Sequence, residues 1–325
     1  MGGPNTTSRS GLALQAAKAR YFLSNNTVDF YRRVRSLWRS TMNRLPEEEG
    51  LEVKFEHRAY FVPGTRNAPA TGSLNSGDAA SDSGLYLDLM KRVLANVIYS
   101  RAVPEKFSDG RRDEIRRQGG AWPAMAHTMI GMKRLDNLQF CIEDVIGKKV
   151  RGDFIETGVW RGGACIFMRA ILKARGVSDR IVWLADSFEG LPKPDAAKYP
   201  EDAGLRLHAV PGLAISLEEV MLNFREYGLL DEQVRFLKGW FRDTLPKAPM
   251  ERLAVLRLDG DMYESTIEAL EHLYPKLSPG GYVIVDDYGA VPGCRRAVDD
   301  FRKREGITEK IEEIDWSGVF WRRAG

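Results

Sequence analysis

Apolar residues recur along the second half of the chain in two alternating patterns. Short, mostly apolar runs predict buried strands at residues 153–157, 181–185, 234–237, 253–258 and 282–285. Between these runs, apolar residues three or four positions apart predict helices at residues 164–174, 217–227 and 264–273. Such alternation is typical of an α/β fold with a mainly parallel sheet and helices on both faces. Two strands around Ser317 and Gly318 predict a closing antiparallel hairpin.

Two further helices are predicted upstream of the first strand. Leu85, Leu89, Val93 and Val97 recur at every fourth position, with Met90 and Leu94 beside them, which predicts an amphipathic helix. Residues 125–146 predict another, with apolar positions at Met129, Leu135, Leu138 and Cys141. The polar, glycine-bearing residues 107–120 predict a mobile segment over a site.

The beginning of the chain has a different composition from the rest. Between residues 9 and 44 there are eight Lys or Arg residues and one acid, Asp29. Residues 63–84 are rich in Gly, Ser, Asn, Asp and Pro, which indicates a linker or loop. We therefore expect a basic N-terminal extension and linker (1–84), a helical cap segment (85–150) and a core (151–325). The basic arm is either a solvated, partly helical extension or a contact for an acidic partner.

Composition narrows the class of protein. The formal net charge of +3, with 43% hydrophobic and 29% charged residues, gives no reason to expect a nucleic-acid or membrane partner. No apolar run approaches the ~18 residues of a membrane span, and the start lacks a secretory signal. The three cysteines form no CxxC pair, so disulfides or structural zinc are not expected. These features favour a reducing, cytoplasmic location.

The first chemical signal is DFIETGVWRGGAC, at residues 153–165. Gly158, Gly162 and Gly163 follow a predicted strand and precede a helix, where glycine allows a sharp turn and close approach of a ligand. The spacing is GxxxGG and does not match the dinucleotide fingerprint GxGxxG. With Glu156 before it, the turn suits a smaller adenosyl ligand. A purely structural glycine turn remains the alternative.

The second signal is Asp186, at the predicted end of the second strand in IVWLADSFEGLP. A carboxylate at this place can accept hydrogen bonds from both ribose hydroxyls of a nucleotide. The alternative is an aspartate that caps a helix. Trp240 and Phe241 follow the third strand, where an adenine could stack, although such aromatic residues also commonly belong to the core.

The third signal is a set of four acids. RLDGDMY (257–263) and VIVDDY (283–288) each follow a predicted strand, so Asp259, Asp261, Asp286 and Asp287 are expected to converge at one sheet edge. Carboxylates held close together repel one another, and a divalent cation removes that conflict. Oxygen ligands of this kind suit Mg²⁺ or Mn²⁺. Four unrelated surface or capping acids are the alternative.

These residues identify a resemblance. The chain resembles the macrocin O-methyltransferase family, the tylosin and mycinamicin type, over about residues 85–321. The resemblance rests on YLDLMKRVLANVIY, AHTMIGMKRLDNL, DFIETGVWRGGAC, LADSFEGLP, LKGWFRDTLP, LRLDGDMYESTIEALEHLYPKLSPGGYVIVDDYG and the terminal strand pair. It implies the class I S-adenosylmethionine-dependent methyltransferase fold, which is Rossmann-like with a seven-stranded sheet, and a requirement for Mg²⁺, with Mn²⁺ as an alternative.

The resemblance also implies roles for individual residues. Asp259, Asp286 and Asp287 are the expected metal ligands, and Asp261 is the expected general base. With the residues singled out above, the expected cofactor-binding set is Met129, Glu156, Thr157, Gly158, Trp160, Gly162, Gly163, Asp186, Ser187, Phe188, Trp240 and Phe241. His127 is a candidate second base, but a lone histidine is more often structural.

The expected function is Mg²⁺-dependent methylation of a deoxysugar hydroxyl on a glycosylated natural product, by a multimeric enzyme. A catechol-type methyltransferase acting on another small diol would use the same metal chemistry. A nucleotide-dependent oxidoreductase is disfavoured by the missing GxGxxG. A non-catalytic binding protein acting through the basic arm is disfavoured by the intact acidic cluster.

Overall fold

The computed structural model describes residues 82–98, 116–120 and 125–325. The predicted basic arm, most of the linker and most of the polar segment 107–120 lie outside the described residues. Within these described ranges, no helix is long and apolar enough to cross a membrane.

A seven-stranded sheet forms the centre of the molecule. Its strands are β1 (Asp153–Thr157), β2 (Val182–Asp186), β3 (Val234–Lys238), β4 (Leu253–Leu258), β5 (Leu277–Val285), β6 (Glu312–Glu313) and β7 (Val319–Arg322). Their order is β3-β2-β1-β4-β5-β7-β6. The first five strands are parallel, and β7 pairs antiparallel with both β5 and β6. The predicted sheet and its C-terminal hairpin are therefore confirmed.

The strand bounds agree closely with the pattern of apolar runs, except at β5. This strand begins at Leu277, whereas the apolar run alone predicted 282. The intervening SPGG (278–281) has a composition typical of a turn, but it forms an irregular start of the strand. Gly280 adopts φ +83° there and its N–H donates to the carbonyl oxygen of Arg323. A register shift between β4 and β5 accommodates this irregularity.

Helices cover both faces of the sheet. They are α1 (Asp82–Leu94), α2 (Met132–Gly147), α3 (Gly163–Ala174), α4 (Leu217–Glu226), α5 (Phe241–Thr244), α6 (Tyr263–Leu273) and α7 (Pro292–Arg304). One apolar core lies under α1 to α4 and the other under α5 to α7. Neighbouring residues of β1 point to opposite cores, since Phe154 belongs to the first and Ile155 to the second. The connections between strands and helices leave the carboxyl ends of the parallel strands at one edge.

The predicted apolar face of α1 is wrong. Leu85 and Leu89 are 63% and 53% exposed, whereas Leu87, Met90 and Leu94 are buried. The helix carries two apolar stripes, and a spacing of four residues fits both of them. Packing on α3 decides between the stripes, because α1 lies against that helix.

The predicted start of α2 is also wrong, because the helix begins at Met132 and residues 125–131 are irregular. Gly131 precedes the helix in an extended conformation. A Cβ atom at Gly131 would meet the backbone nitrogen of Gly119 at 2.2 Å, so the chain passes this point in close contact with residues 116–119. Leu135, Leu138 and Cys141 are buried, as the helical pattern predicted.

Candidate active site

The loops at the carboxyl edge of the sheet contain three residues in a strained backbone conformation. Trp160 follows β1, Phe188 follows β2 and Asp261 follows β4, with φ of 47°, 58° and 58°. Residues other than glycine rarely adopt positive φ, and such strain concentrates at functional sites. Three adjacent strands therefore end in loops whose shape is set by tertiary contacts.

The glycine-rich turn after β1 packs against the end of β4. A Cβ atom at Gly158, which has φ +83°, would lie 1.9 Å from the carbonyl oxygen of Asp259. The other two glycines contact protein groups. Gly162 faces Val220 and Phe224 of α4, and the N–H of Gly163 donates to the carbonyl oxygen of His127 at 2.9 Å. The turn is thus both a structural element and the wall of a site.

Asp186, at the end of β2, organises the neighbouring loops. Its Oδ2 accepts the backbone N–H of Val159 at 2.7 Å, and its Oδ1 accepts that of Phe188 at 2.7 Å. It begins no helix, so the capping alternative is wrong. The backbone N–H of Trp160 also donates to this carboxylate. A carboxylate has about four acceptor sites, so the group can still accept a ribose hydroxyl.

A cleft of about 760 Å³, partly open to solvent, lies beside this turn. The sequence-predicted residues that line it are Met129, Gly158, Trp160, Asp186, Ser187, Trp240, Phe241, Asp259 and Asp261. The remaining predicted residues, which do not line it, are Glu156, Thr157, Gly162, Gly163, Phe188, Asp286 and Asp287. The structure therefore brings together most of the predicted cofactor residues, while Glu156, Thr157 and Phe188 are buried behind them.

The acids of the third signal converge. One carboxylate oxygen from each of Asp259, Asp286 and Asp287 lies within 4.8 Å of the others. Asp261 adjoins them, since its backbone N–H donates to Oδ2 of Asp287 at 3.3 Å. Asp286 and Asp287 are buried. Chance placement of unrelated surface acids is therefore wrong.

Two buried arginines hold the cluster. Arg257 of β4 is 1% exposed and its guanidinium contacts Glu156, Asp259 and Asp286. Arg134 of α2 contacts the other oxygen of Asp286, and its Nε donates to Asp315 at 2.8 Å. The carboxylate of Asp286 is thus oriented from both sides.

The cluster has more negative than positive charge. Burial raises the pKa of Asp261 and Asp287 well above the usual aspartate value, and mutual repulsion with the neighbouring acids reinforces the rise. Burial also raises the pKa of Glu156 to about 7, although Arg257 opposes that rise. These carboxyl groups therefore favour an additional positive charge.

The donor set fits a divalent cation. Hydrogen bonds among the described residues use Oδ2 of Asp259 and Oδ2 of Asp287, which leaves Oδ1 of each for a metal. Three carboxylates within reach of one another offer the oxygen ligands that Mg²⁺ and Mn²⁺ prefer.

Sequence reasoning missed both arginines. Arg257 carried a signal, because it is a charge inside the apolar strand LAVLRL and so indicates a buried ion pair. Arg134 carried none, because its partners Asp286 and Asp315 are 152 and 181 residues away.

His127 lies apart from the acids. Its Nδ1 is 2.8 Å from the hydroxyl of Tyr227, and burial lowers its pKa, with Arg161 acting in the same direction. It does not line the cleft. The structure thus places its ring against α4 and away from Asp261, which favours the structural reading.

Comparison with known proteins identifies the relatives of this chain. A family model described as macrocin O-methyltransferase (TylF) matches residues 107–323. The 8-demethyl-8-(2,3-dimethoxy-alpha-L-rhamnosyl)-tetracenomycin-C 4'-O-methyltransferase of Streptomyces olivaceus is 60% identical over 241 residues, 73% of this chain and 92% of that protein. Mycinamicin III 3''-O-methyltransferase of Micromonospora griseorubida is 55% identical over 246 residues, 74% and 96% of the two chains.

A solved structure agrees with these relatives. The O-methyltransferase NovP is 56% identical, with a TM-score of 0.72, and the match covers 75% of this chain and all of that one. The sheet order and the cleft at its carboxyl edge define a class I S-adenosylmethionine-dependent methyltransferase. The chain belongs to the macrocin O-methyltransferase family and is an S-adenosylmethionine-dependent O-methyltransferase.

Proposed function

We propose that this enzyme methylates a sugar hydroxyl of a glycosylated natural product in a Mg²⁺-dependent reaction. The observation that carries the acceptor class is the 60% identity to an enzyme whose name specifies a rhamnosyl tetracenomycin. The acidic cluster carries the metal requirement, because its three carboxylates present oxygen ligands within 4.8 Å of one another.

The cleft and the acidic cluster would have different roles, since the first would bind the cofactor and the second the metal. Asp186 and the turn at Gly158 would hold the ribose and methionine ends of S-adenosylmethionine, and Trp240 and Phe241 would flank its adenine, since all of them line the cleft. The cofactor supplies a methyl group on a sulfonium, which an acceptor oxygen must attack in line. Asp259, Asp286 and Asp287 would hold the metal, which lowers the pKa of an acceptor hydroxyl and fixes its orientation.

Asp261 takes the proton in this scheme. It lines the cleft beside Asp259, where a carboxylate can accept the proton of an acceptor hydroxyl. The backbone of Asp261 has a left-handed conformation, with φ of 58°, and its N–H donates to Asp287. Arg134 and Arg257 orient Asp286 and do not line the cleft.

An acceptor panel tests this function. The enzyme is incubated with S-adenosylmethionine and Mg²⁺ and with deoxysugar glycosides, their aglycones or simple catechols, and product mass is measured. We expect one added methyl group on a glycoside, none on its aglycone, and no product in excess chelator. Methylation confined to catechols would contradict the acceptor class, and full activity in chelator would contradict the metal role.

A further inference from the structure

A pair of glutamates lines the cleft on the first two turns of α6. Glu264 and Glu268 are four residues apart and so lie on one face of the helix, 5% and 8% exposed. Both line the cleft together with Trp240 and Phe241. Like charges in this relation repel, and burying them is costly unless a partner compensates. The catalytic scheme above uses neither of them.

The two carboxylates have different partners. Oε1 of Glu264 lies 3.7 Å from Nη1 of Arg242, which is the second residue of α5. Glu268 accepts the backbone N–H of Arg242 but, among the described residues, forms no ion pair. Burial, reinforced by Glu264, raises the pKa of Glu268 to about 7. Glu268 therefore lines the cleft with acceptor capacity that the protein leaves unused.

The residues around Glu268 in the cleft indicate which kind of ligand group would contact its carboxylate. Asp186 and Gly158 lie at the strand ends, and the rings of Trp240 and Phe241 lie at the start of α5. Glu268 lies at that same start, because it binds the backbone of Arg242. A flat ring that bears an N–H donor and packs against these aromatic side chains fits the surroundings of Glu268.

We propose that Glu268 accepts a hydrogen bond from the exocyclic amino group of adenine and so makes the cofactor site specific for adenosyl ligands. This inference rests on S-adenosylmethionine being the ligand of the cleft. An amino group donates hydrogen bonds, and a carboxylate only accepts them. Hypoxanthine has a carbonyl oxygen in place of that amino group, so it would place two acceptors against each other.

Glu268 is preferred to Glu264 for this role. The charge of Glu264 is partly matched by Arg242, and its backbone N–H is bound by Asp202 at the beginning of α6. Contacts within the protein therefore account for the position of Glu264, but they account for only part of the hydrogen-bonding capacity of Glu268.

The test compares two ligands on each variant. Calorimetry on the full-length protein gives dissociation constants for S-adenosylhomocysteine and S-inosylhomocysteine. In the second ligand a carbonyl oxygen replaces that amino group and the adjacent ring nitrogen N1 carries a hydrogen. We expect the unaltered protein to prefer the adenosyl ligand by about 10–100-fold, the usual effect of a charge-assisted hydrogen bond. In Glu268→Gln the ratio should fall about tenfold or more, because an amide can also donate to the inosine carbonyl.

Glu264→Gln and Glu271→Gln serve as controls. Glu271 lies on the outer side of the same helix and pairs with Arg304. The ratio of the two dissociation constants should therefore not change in Glu271→Gln. Because each variant is judged by a ratio, a partly unfolded sample does not alter the result. An unchanged ratio in Glu268→Gln overturns the inference, as does a ratio lost only in Glu264→Gln. Failure of the unaltered protein to bind either ligand would instead contradict the proposed cofactor.

Discussion

Arg257 balances the charge of the site at the scale of a single residue. Its guanidinium contacts three carboxylates and is 1% exposed. Removing one partner of a buried ion pair leaves uncompensated charge, which is far more costly than losing a surface pair. The arginine therefore has a structural role in addition to orienting Asp286.

We expect Arg257→Met to lower the free energy of unfolding by about 3–5 kcal/mol, as measured by chemical denaturation. The freed acids then favour protonation, so the loss should be larger at about pH 8 than at about pH 5. Arg304→Met is the matched control, because Arg304 pairs with Glu271 and Glu305 at the surface. Its cost should stay within about 1 kcal/mol. Equal costs for the two variants would contradict this account.

Asp261→Asn removes the proposed proton acceptor and keeps the shape of the side chain. We expect turnover to fall ~10²–10⁴-fold, while the dissociation constants of metal and cofactor change little. Asp299→Asn is the control, since Asp299 is an exposed residue of α7 that accepts the hydroxyl of Tyr288. Nearly unaltered turnover in Asp261→Asn would assign proton removal to water or another base.

At the scale of elements, the contact between the β1 turn and the end of β4 joins the cofactor cleft to the acidic cluster. Gly158 makes this contact possible, because a side chain there would displace the backbone of Asp259. The same backbone carries a proposed metal ligand. A change in the turn should therefore affect both halves of the site.

Gly158→Ala should destabilise the protein by about 2–5 kcal/mol, since backbone strain adds to a steric clash. Gly176→Ala separates the two causes. Gly176 also has positive φ, at +65°, but nothing lies within 4 Å of an added Cβ atom. Its cost should be about 1 kcal/mol. Denaturation and metal titration of both variants check the prediction, and similar losses would remove the steric argument.

Elements differ in how well the sequence predicts them. β1 and β4 were predicted to the residue, because each is a short segment with an apolar centre that is followed directly by glycine or aspartate. The face of α1 could not be predicted, because Leu85 and Leu87 lie on different stripes and only α3 selects one. The acids of the site show a signal in the sequence, because two pairs of Asp residues each follow a predicted strand. Arg134 does not, because its role depends on a contact with Asp315 that only the folded chain creates.

At the scale of the whole molecule, residues 1–50 differ in composition from the rest of the chain. They also lie outside the family match, which begins at residue 107. We expect deletion of residues 1–50 to leave a folded protein that binds S-adenosylhomocysteine with unchanged affinity. Thermal unfolding and calorimetry measure both properties. Lost turnover with intact cofactor affinity would place the arm over the acceptor pocket. An unfolded product would show that the arm belongs to the core.

The C-terminal hairpin gives the acidic cluster a dependence on the timing of synthesis. Asp315 holds Arg134, the hydroxyl of Ser317 donates to the carbonyl oxygen of Asp286 at 2.7 Å, and β7 completes the edge beside β5. These residues are synthesised after every proposed metal ligand. The five parallel strands can assemble earlier, but Asp286 acquires its full set of partners only after residues 315–322 have been synthesised. A chain cut short before residue 315 would therefore carry every proposed metal ligand and still lack the contacts that orient one of them.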